Sequence, residues 1–259
     1  MRIAIDGPSA AGKSTIAKQL AKKLEITYID TGAMYRAVAL KVLRMGGRPD
    51  RESDALEALK GLDLTVGHSE GCQLVFLDGE DVTGLIRTPE MAKGASDVSA
   101  FRDVRNKLVE LQRRIAKGFD VVMDGRDIGT YVFPDAEFKF YLTASVEERA
   151  RRRFDELKAG VGGPGGSGSE VGGSEVGGSG GSGSGVGGPG GSGSKVGGPG
   201  GGGLTYEKCL VDIETRDRND SNREFAPLKK ADDAILINST NMQSHEVVAL
   251  IMGIIGDKK

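Results

Sequence analysis

Eight consecutive residues, Gly7-Pro-Ser-Ala-Ala-Gly12-Lys13-Ser14, match the pattern G-x4-G-K-[ST]. Glycine lets such a loop curl until its N–H groups point inward at phosphate oxygens. A helix starting near Lys13 would aim the positive end of its dipole at the same anion. Lys13 is then expected to bridge the β- and γ-phosphates of a nucleoside triphosphate, with the Ser14 hydroxyl as a ligand to Mg²⁺. Donor contacts are expected from Gly7, Pro8, Ser9, Ala10, Ala11, Gly12, Lys13, Ser14 and Thr15.

Three basic clusters sit beside turn signals: Asp30-Thr-Gly-Ala-Met-Tyr-Arg36, Asp124-Gly-Arg126-Asp127-Ile-Gly-Thr130, and Asp217-Arg-Asn-Asp-Ser-Asn-Arg223. In parallel α/β sheets, ligands bind beyond the carboxyl ends of strands. Arginine there can grip phosphate bidentately. A guanine-reading NKxD motif is missing, and Arg218-Asn219-Asp220 is only a loose echo of it. The pattern points to a small phosphotransferase rather than a GTPase switch.

The elements that must position these residues follow from periodicity. Apolar runs at 2–5, 26–29, 119–123, 138–142 and 234–237 read as strands. Helical spacing covers 14–24, 33–45, 102–117, 146–158, 206–218 and 244–255. Strands separated by helices predict βαβ units and a parallel sheet. One stretch breaks the rhythm. Leu62-Asp-Leu-Thr-Val66 and Gln73-Leu-Val-Phe-Leu77, joined by a turn containing Gly67 and Gly71, lead through Asp78-Gly79 into Asp81-Val-Thr83. This reads as an antiparallel meander appended to the sheet.

Composition divides the chain in two. Of 41 Gly, 25 fall within the 44 residues from 160 to 203, which otherwise hold mainly Ser, Val and Pro. The run lacks a Gly-X-Y period, so it is not collagen-like, and it carries too few apolar residues for a solenoid core. A flexible linker is expected. The net charge of −2 gives no reason to expect nucleic acid as a partner. No apolar stretch reaches membrane-spanning length and no secretory signal is visible, so a cytoplasmic location and no membrane partner are expected. Two distant Cys and two His argue against disulfide or zinc chemistry.

With these motifs in place, the sequence resembles bacterial cytidylate kinase (CMP kinase), of the P-loop nucleoside monophosphate kinase family. The resemblance rests on Ile5-Asp-Gly-Pro-Ser-Ala-Ala-Gly-Lys-Ser14, Asp30-Thr-Gly-Ala-Met-Tyr-Arg36, Gly84-Leu-Ile-Arg-Thr88, Asp124-Gly-Arg-Asp-Ile-Gly-Thr130, Phe133-Pro-Asp-Ala136, Arg216-Asp217, Asp220 and Ala226-Pro-Leu228. It implies an α/β fold: a five-stranded parallel sheet flanked by helices, with a small antiparallel β insertion and a lid. The kinase core would comprise 1–61 and 96–259. A monophosphate-binding insertion would span 62–95. The lid would cover about 149–223, interrupted by the flexible run 160–203.

The resemblance also assigns roles. Thr31 and Arg36 match the monophosphate-binding pair, and Ser96, Arg105 and Asp127 the cytosine contacts. A carboxylate suits the N4 amino group of cytosine and would be repelled by the 4-carbonyl of uracil. Arg126 and Arg223 match phosphate contacts, and Arg216 and Asp220 positions near the ribose. Arg149 and Arg153, four apart on one helix face, would cover ATP from the lid, although Arg151 and Arg152 compete for that role.

The implied reaction moves the γ-phosphoryl group of Mg-ATP to CMP or dCMP, giving CDP or dCDP and ADP, in a monomer. Lys13, Arg126 and Arg223 are the expected catalytic residues. UMP or a metabolite as acceptor, and a nucleotide-binding protein whose lid insertion impairs catalysis, are the alternatives. Lengthening a lid of about half a dozen residues sevenfold costs roughly 1.7 kcal/mol in loop closure, which a stable fold tolerates. Its coil span of roughly 35–40 Å exceeds a lid's width, so weakened turnover or ATP affinity is expected.

Overall fold

The computed structural model describes residues 1–69, 72–160 and 204–257. From the N-terminus, β1 (Arg2–Asp6) leads through the phosphate loop into α1 (Lys13–Leu24). Then come β2 (Thr27–Asp30), α2 (Thr31–Arg44) and α3 (Glu52–Leu59). A meander of β3 (Leu64–Ser69), β4 (Cys72–Leu77) and β5 (Glu80–Asp81) precedes α4 (Pro89–Val98) and α5 (Arg102–Ile115). β6 (Val121–Gly125), a π-helical turn (Ile128–Val132), β7 (Phe138–Thr143) and α6 (Val146–Lys158) follow. The chain closes with α7 (Tyr206–Asn222), β8 (Ile235–Asn238) and α8 (Ser244–Asp257).

Five strands form one parallel sheet in the order β2-β6-β1-β7-β8. Ile3, Ala4 and Ile5 of the central β1 are fully buried, as a strand covered on both faces requires. On one face, Ile16 and Leu20 of α1 meet Val248 and Ile251 of α8 over Ile3, Ile5 and Phe140. On the other, Val109 of α5 packs with Ile29, Met123 and Ile128. Each such fully buried Ile or Leu contributes about 1.5–3 kcal/mol relative to exposure. In register, Asp6 lies beside Gly125 on one side and Tyr141 on the other. The phosphate loop therefore leaves β1 next to the turn that leaves β6.

β3, β4 and β5 form a separate antiparallel sheet, as the meander implied. Gly67, read from sequence as part of the connecting turn, instead lies inside β3 opposite Leu74. This sheet packs through Leu64, Val75 and Leu77 on α2 and α3. Two helices were not read from the sequence. α3 has only 8 residues and buries two alanines. α4 starts at Pro89 behind its Thr88 cap and carries Gly94 in mid-helix. A Cβ on Gly94 would stand 2.8 Å from that of Ala39, so the glycine is what lets α4 lie close against α2.

α6 and α7 pack against each other. α6 begins at a Ser145 cap that accepts the Glu148 N–H, and α7 at a Thr205 cap that accepts the Lys208 N–H. Residues 161–203, nearly all of the expected flexible run and the middle of the expected lid, lie outside the described residues.

Candidate functional site

At the carboxyl edge of the sheet one cleft gathers residues from β2, α2, α4, α5, β6, α6, α7 and the phosphate loop. The loop is held open by its own geometry. Gly7 has φ +149, and a Cβ there would fall 1.9 Å from the Leu142 carbonyl oxygen. Lys13 opens α1, and its Nζ turns back to donate to the Pro8 carbonyl at 2.7 Å. Burial, then Arg126, pulls its ammonium well below the ordinary lysine range.

Behind the loop, Asp124 at the end of β6 collects three groups. Its carboxylate accepts from the Ser14 hydroxyl and from the Tyr28 hydroxyl, each at 2.8 Å, and its carbonyl accepts from the Thr31 hydroxyl at 2.7 Å. Burial and the nearby Asp30 push its carboxyl upward. Asp6 sits beneath, accepting the Ile128 and Gly129 N–H groups at 2.7 Å each, and burial raises it to about 7. These two hydrogen bonds pin the π-helical turn to β1.

The rest of the cleft is built from paired charges. Asp30 caps α2 through the Ala33 N–H and holds Arg36 at 2.9 Å. Arg105, almost fully buried on α5, pairs with Asp127 and donates to the Ser99 carbonyl at 3.2 Å. Arg126 donates to Asp220 at 2.7 Å. Arg223 reaches the Ser99 hydroxyl and the Asp220 carbonyl, each at 3.2 Å. Ser96 and Arg216 also line the cleft.

The pairing is incomplete in one direction. Lys13, Arg36, Arg105, Arg126, Arg153, Arg216 and Arg223 line the cleft, against Asp30, Asp124, Asp127, Glu156 and Asp220. Burial and then Arg126 push Arg216 down to about 10. Arg223 is lowered by burial and Arg105. Among the described residues, four buried donors find no hydrogen-bond partner: Nε of Arg36, Arg105 and Arg216, and Nη2 of Arg223. An arrangement with surplus cations and orphaned N–H groups is complementary to an anion rich in acceptor oxygens.

The sequence-derived residues largely converge. Ser9 to Thr15, Thr31, Arg36, Ser96, Arg105, Arg126, Asp127, Arg153, Arg216, Asp220 and Arg223 all line the cleft. Gly7 and Pro8 lie behind it as the loop's framework. Arg149 is buried and turned aside, onto the Ser9 carbonyl and Asp217. Arg153 faces the cleft while paired with Glu156 at 3.2 Å.

The sequence reading gave no role to Asp124, Asp30, Tyr35 or Ser99, all in the cleft wall. It also missed a second cleft on the other side of Gly12, lined by Arg151 and Arg152 of α6 and by Ser239 to Ser244 after β8. Arg152 is fixed there by Glu148 at 2.8 Å and the Ser239 carbonyl at 2.7 Å. Glu148 is held down to about 2, chiefly by its hydrogen bond from Arg151.

For a magnesium ion, the chain offers the Ser14 hydroxyl with the Asp124 carboxylate directly behind it. No group of three His, Cys, Asp or Glu residues able to hold a metal occurs among the described residues. That donor set fits an ion carried mostly by phosphate oxygens and water. No helix among the described residues is long and apolar enough to cross a membrane.

Comparison with known proteins is consistent with this geometry. The family model described as "Cytidylate kinase" matches residues 3–163 and 199–257, skipping most of the Gly-rich run. The chain is 46% identical over 252 residues to the cytidylate kinase of Caldicellulosiruptor saccharolyticus, covering 97% of this chain and 94% of that protein. It is 45% identical over 248 residues to that of Caldanaerobacter subterraneus, covering 96% and 91%. It is 43% identical over 258 residues to that of Carboxydothermus hydrogenoformans, covering 100% and 98%.

Proposed function

The chain belongs to the cytidylate kinase family, and on that premise we propose that it transfers the γ-phosphoryl group of Mg-ATP to the 5′-phosphate of CMP or dCMP, giving ADP and CDP or dCDP. The observation that carries this reading is the surplus of cations lining one cleft with the phosphate loop, four of them with orphaned buried N–H groups.

Loop N–H groups, Lys13 and the start of α1 hold the donor's phosphates. The second cleft, between α6 and residues 239–244, takes the donor's nucleoside. Bound magnesium would sit on Ser14 with Asp124 behind it, and would supply charge neutralisation on the β- and γ-phosphates. Thr31 and Arg36 hold the acceptor phosphate. Ser96, Arg105 and Asp127 face its base, and Arg216 and Asp220 its ribose. The acceptor oxygen is already anionic, so no general base is needed. Arg126, Arg223 and Lys13 stabilise charge on the group in transfer, and catalysis comes from that and from alignment.

The test is ADP release with ATP against a panel of CMP, dCMP, UMP and non-nucleotide phosphates. CMP or dCMP turnover at least about tenfold above the others in kcat/KM is expected. A preference for UMP or for a metabolite would replace the acceptor assignment. Nucleotide binding without transfer would replace the kinase reading.

A further inference from the structure

Asp217 stands next to Arg216 on α7 but does not line the nucleotide cleft. Its Oδ1 accepts from the Ser9 N–H at 3.2 Å, and its Oδ2 from Arg149 Nη1 at 2.5 Å. The same Arg149 Nη1 donates to the Ser9 carbonyl at 3.1 Å, and Arg149 Nε to the Ala144 carbonyl at 3.0 Å. One carboxylate and one guanidinium thus bracket both backbone groups of Ser9. They join the phosphate loop, the first turn of α6 and the middle of α7.

At the start of α7 the Tyr206 hydroxyl donates to the Glu147 carbonyl of α6 at 3.3 Å, and the polar ties near its end run to the acceptor side. Asp220 accepts from Arg126, and its carbonyl accepts the Leu228 N–H at 2.8 Å. Arg223 reaches Ser99. These fix the helix to acceptor-binding elements but not to the donor's loop. The Asp217 clasp lies outside the cleft lining, so it joins α7 to that loop without adding negative charge where phosphates bind.

We propose that Asp217 is a positioning residue. Through Ser9 and Arg149 it holds α7 to the phosphate loop, so that Arg223 stands in register with the donor's terminal phosphate while Arg216 stays at the acceptor's ribose. The inference rests on the phosphoryl-transfer reading above.

The test compares wild type, Asp217→Ala, Arg149→Ala and the double variant. It measures steady-state kinetics with ATP and CMP, and CMP affinity with and without a non-hydrolysable ATP analogue. In Asp217→Ala, kcat falls roughly 100-fold, about what a 1 Å misplacement costs. CMP affinity alone stays within about threefold, because the acceptor ties survive, while the gain in CMP affinity on adding the analogue disappears. The double variant is no worse than the more affected single variant. A kcat within about threefold of wild type overturns the proposal, as does a loss of CMP affinity matching the loss of kcat, or additive single effects. If Asp217→Ala fails to fold by circular dichroism, Asp217→Asn is read by the same criteria. It keeps an oxygen for the Ser9 N–H and sets an amide NH₂ against Arg149. A wild-type chain that transfers nothing to any acceptor overturns the functional reading together with this one, whereas an active wild type with an unaffected variant overturns this one alone.

Discussion

Replacing Lys13 by Met removes a charge and keeps a side chain of similar length. Two consequences of opposite sign are expected. The ammonium is pulled from 10.5 to about 7 by burial first and by Arg126 second, against Asp124, Asp220 and Asp6. In the unfolded chain it keeps its ordinary value. Between about pH 7 and 10.5 the unfolded state therefore holds a proton that the folded state has shed, and stability rises with pH across that window. Below it both states are protonated and the whole penalty is present. At about 1.4 kcal/mol per pKa unit, a shift of this kind is worth of order a few kcal/mol. The substitution also loses the hydrogen bond to the Pro8 carbonyl, about 1–3 kcal/mol. The net expectation for the nucleotide-free protein at pH 6 is a gain of about 1–3 kcal/mol, or roughly 3–10 °C in Tm. Turnover falls about 10²–10³-fold, the effect of deleting one preorganised donor to a developing charge. Thermal unfolding from pH 6 to 10, with steady-state kinetics on the same preparations, measures both. A variant less stable than wild type at pH 6, an unchanged stability slope above pH 7, or turnover within tenfold of wild type would refute the reasoning.

Asp127→Asn keeps an acceptor for Arg105 but adds an NH₂ that suits a 4-carbonyl. The ratio of kcat/KM for CMP over UMP is expected to fall at least about tenfold, and an unchanged ratio removes Asp127 from base selection. Gly7→Ala would set a Cβ 1.9 Å from the Leu142 carbonyl oxygen. A loss of about 3 kcal/mol or more is expected in urea unfolding, and a loss under 1 kcal/mol would mean that the loop relaxes freely. Replacing residues 161–203 by a short loop is expected to raise kcat or lower the KM for ATP with CMP affinity unchanged. Identical constants before and after would show that the run is kinetically silent.

The sequence made most of the parallel sheet legible because its strands are apolar runs bounded by turn residues. Phe138–Thr143 and Ile235–Asn238 lie within a residue or two of the apolar runs read there. α3 and α4 carry weaker marks. Ala55 and Ala58 give little apolar contrast, and Gly94 suits a loop as well as a crowded helix. Within the cleft, Lys13, Arg126 and Arg223 stood out because arginine and lysine next to turns are informative on their own. Asp124 did not, because its meaning lies in Ser14 and Tyr28, 110 and 96 residues away. Residues 239–244 have no charged or glycine-rich signature, and only the packing of α6 beside β8 makes them a wall.

The strand order carries a consequence for synthesis. β2, β6, β1 and β7, four adjacent strands, all lie within the first 143 residues, while β8 joins at the edge. As the chain leaves the ribosome, the phosphate loop and the buried Arg105–Asp127 pair can be complete well before α7 emerges. Arg216 and Asp220 then arrive on one helix with Arg223 as its C-cap, and Asp220 brings its carboxylate to Arg126 in the same step. A half-made chain can therefore offer a cradle for triphosphate with no second wall, and the last quarter of translation converts a nucleotide holder into a site with two facing substrates.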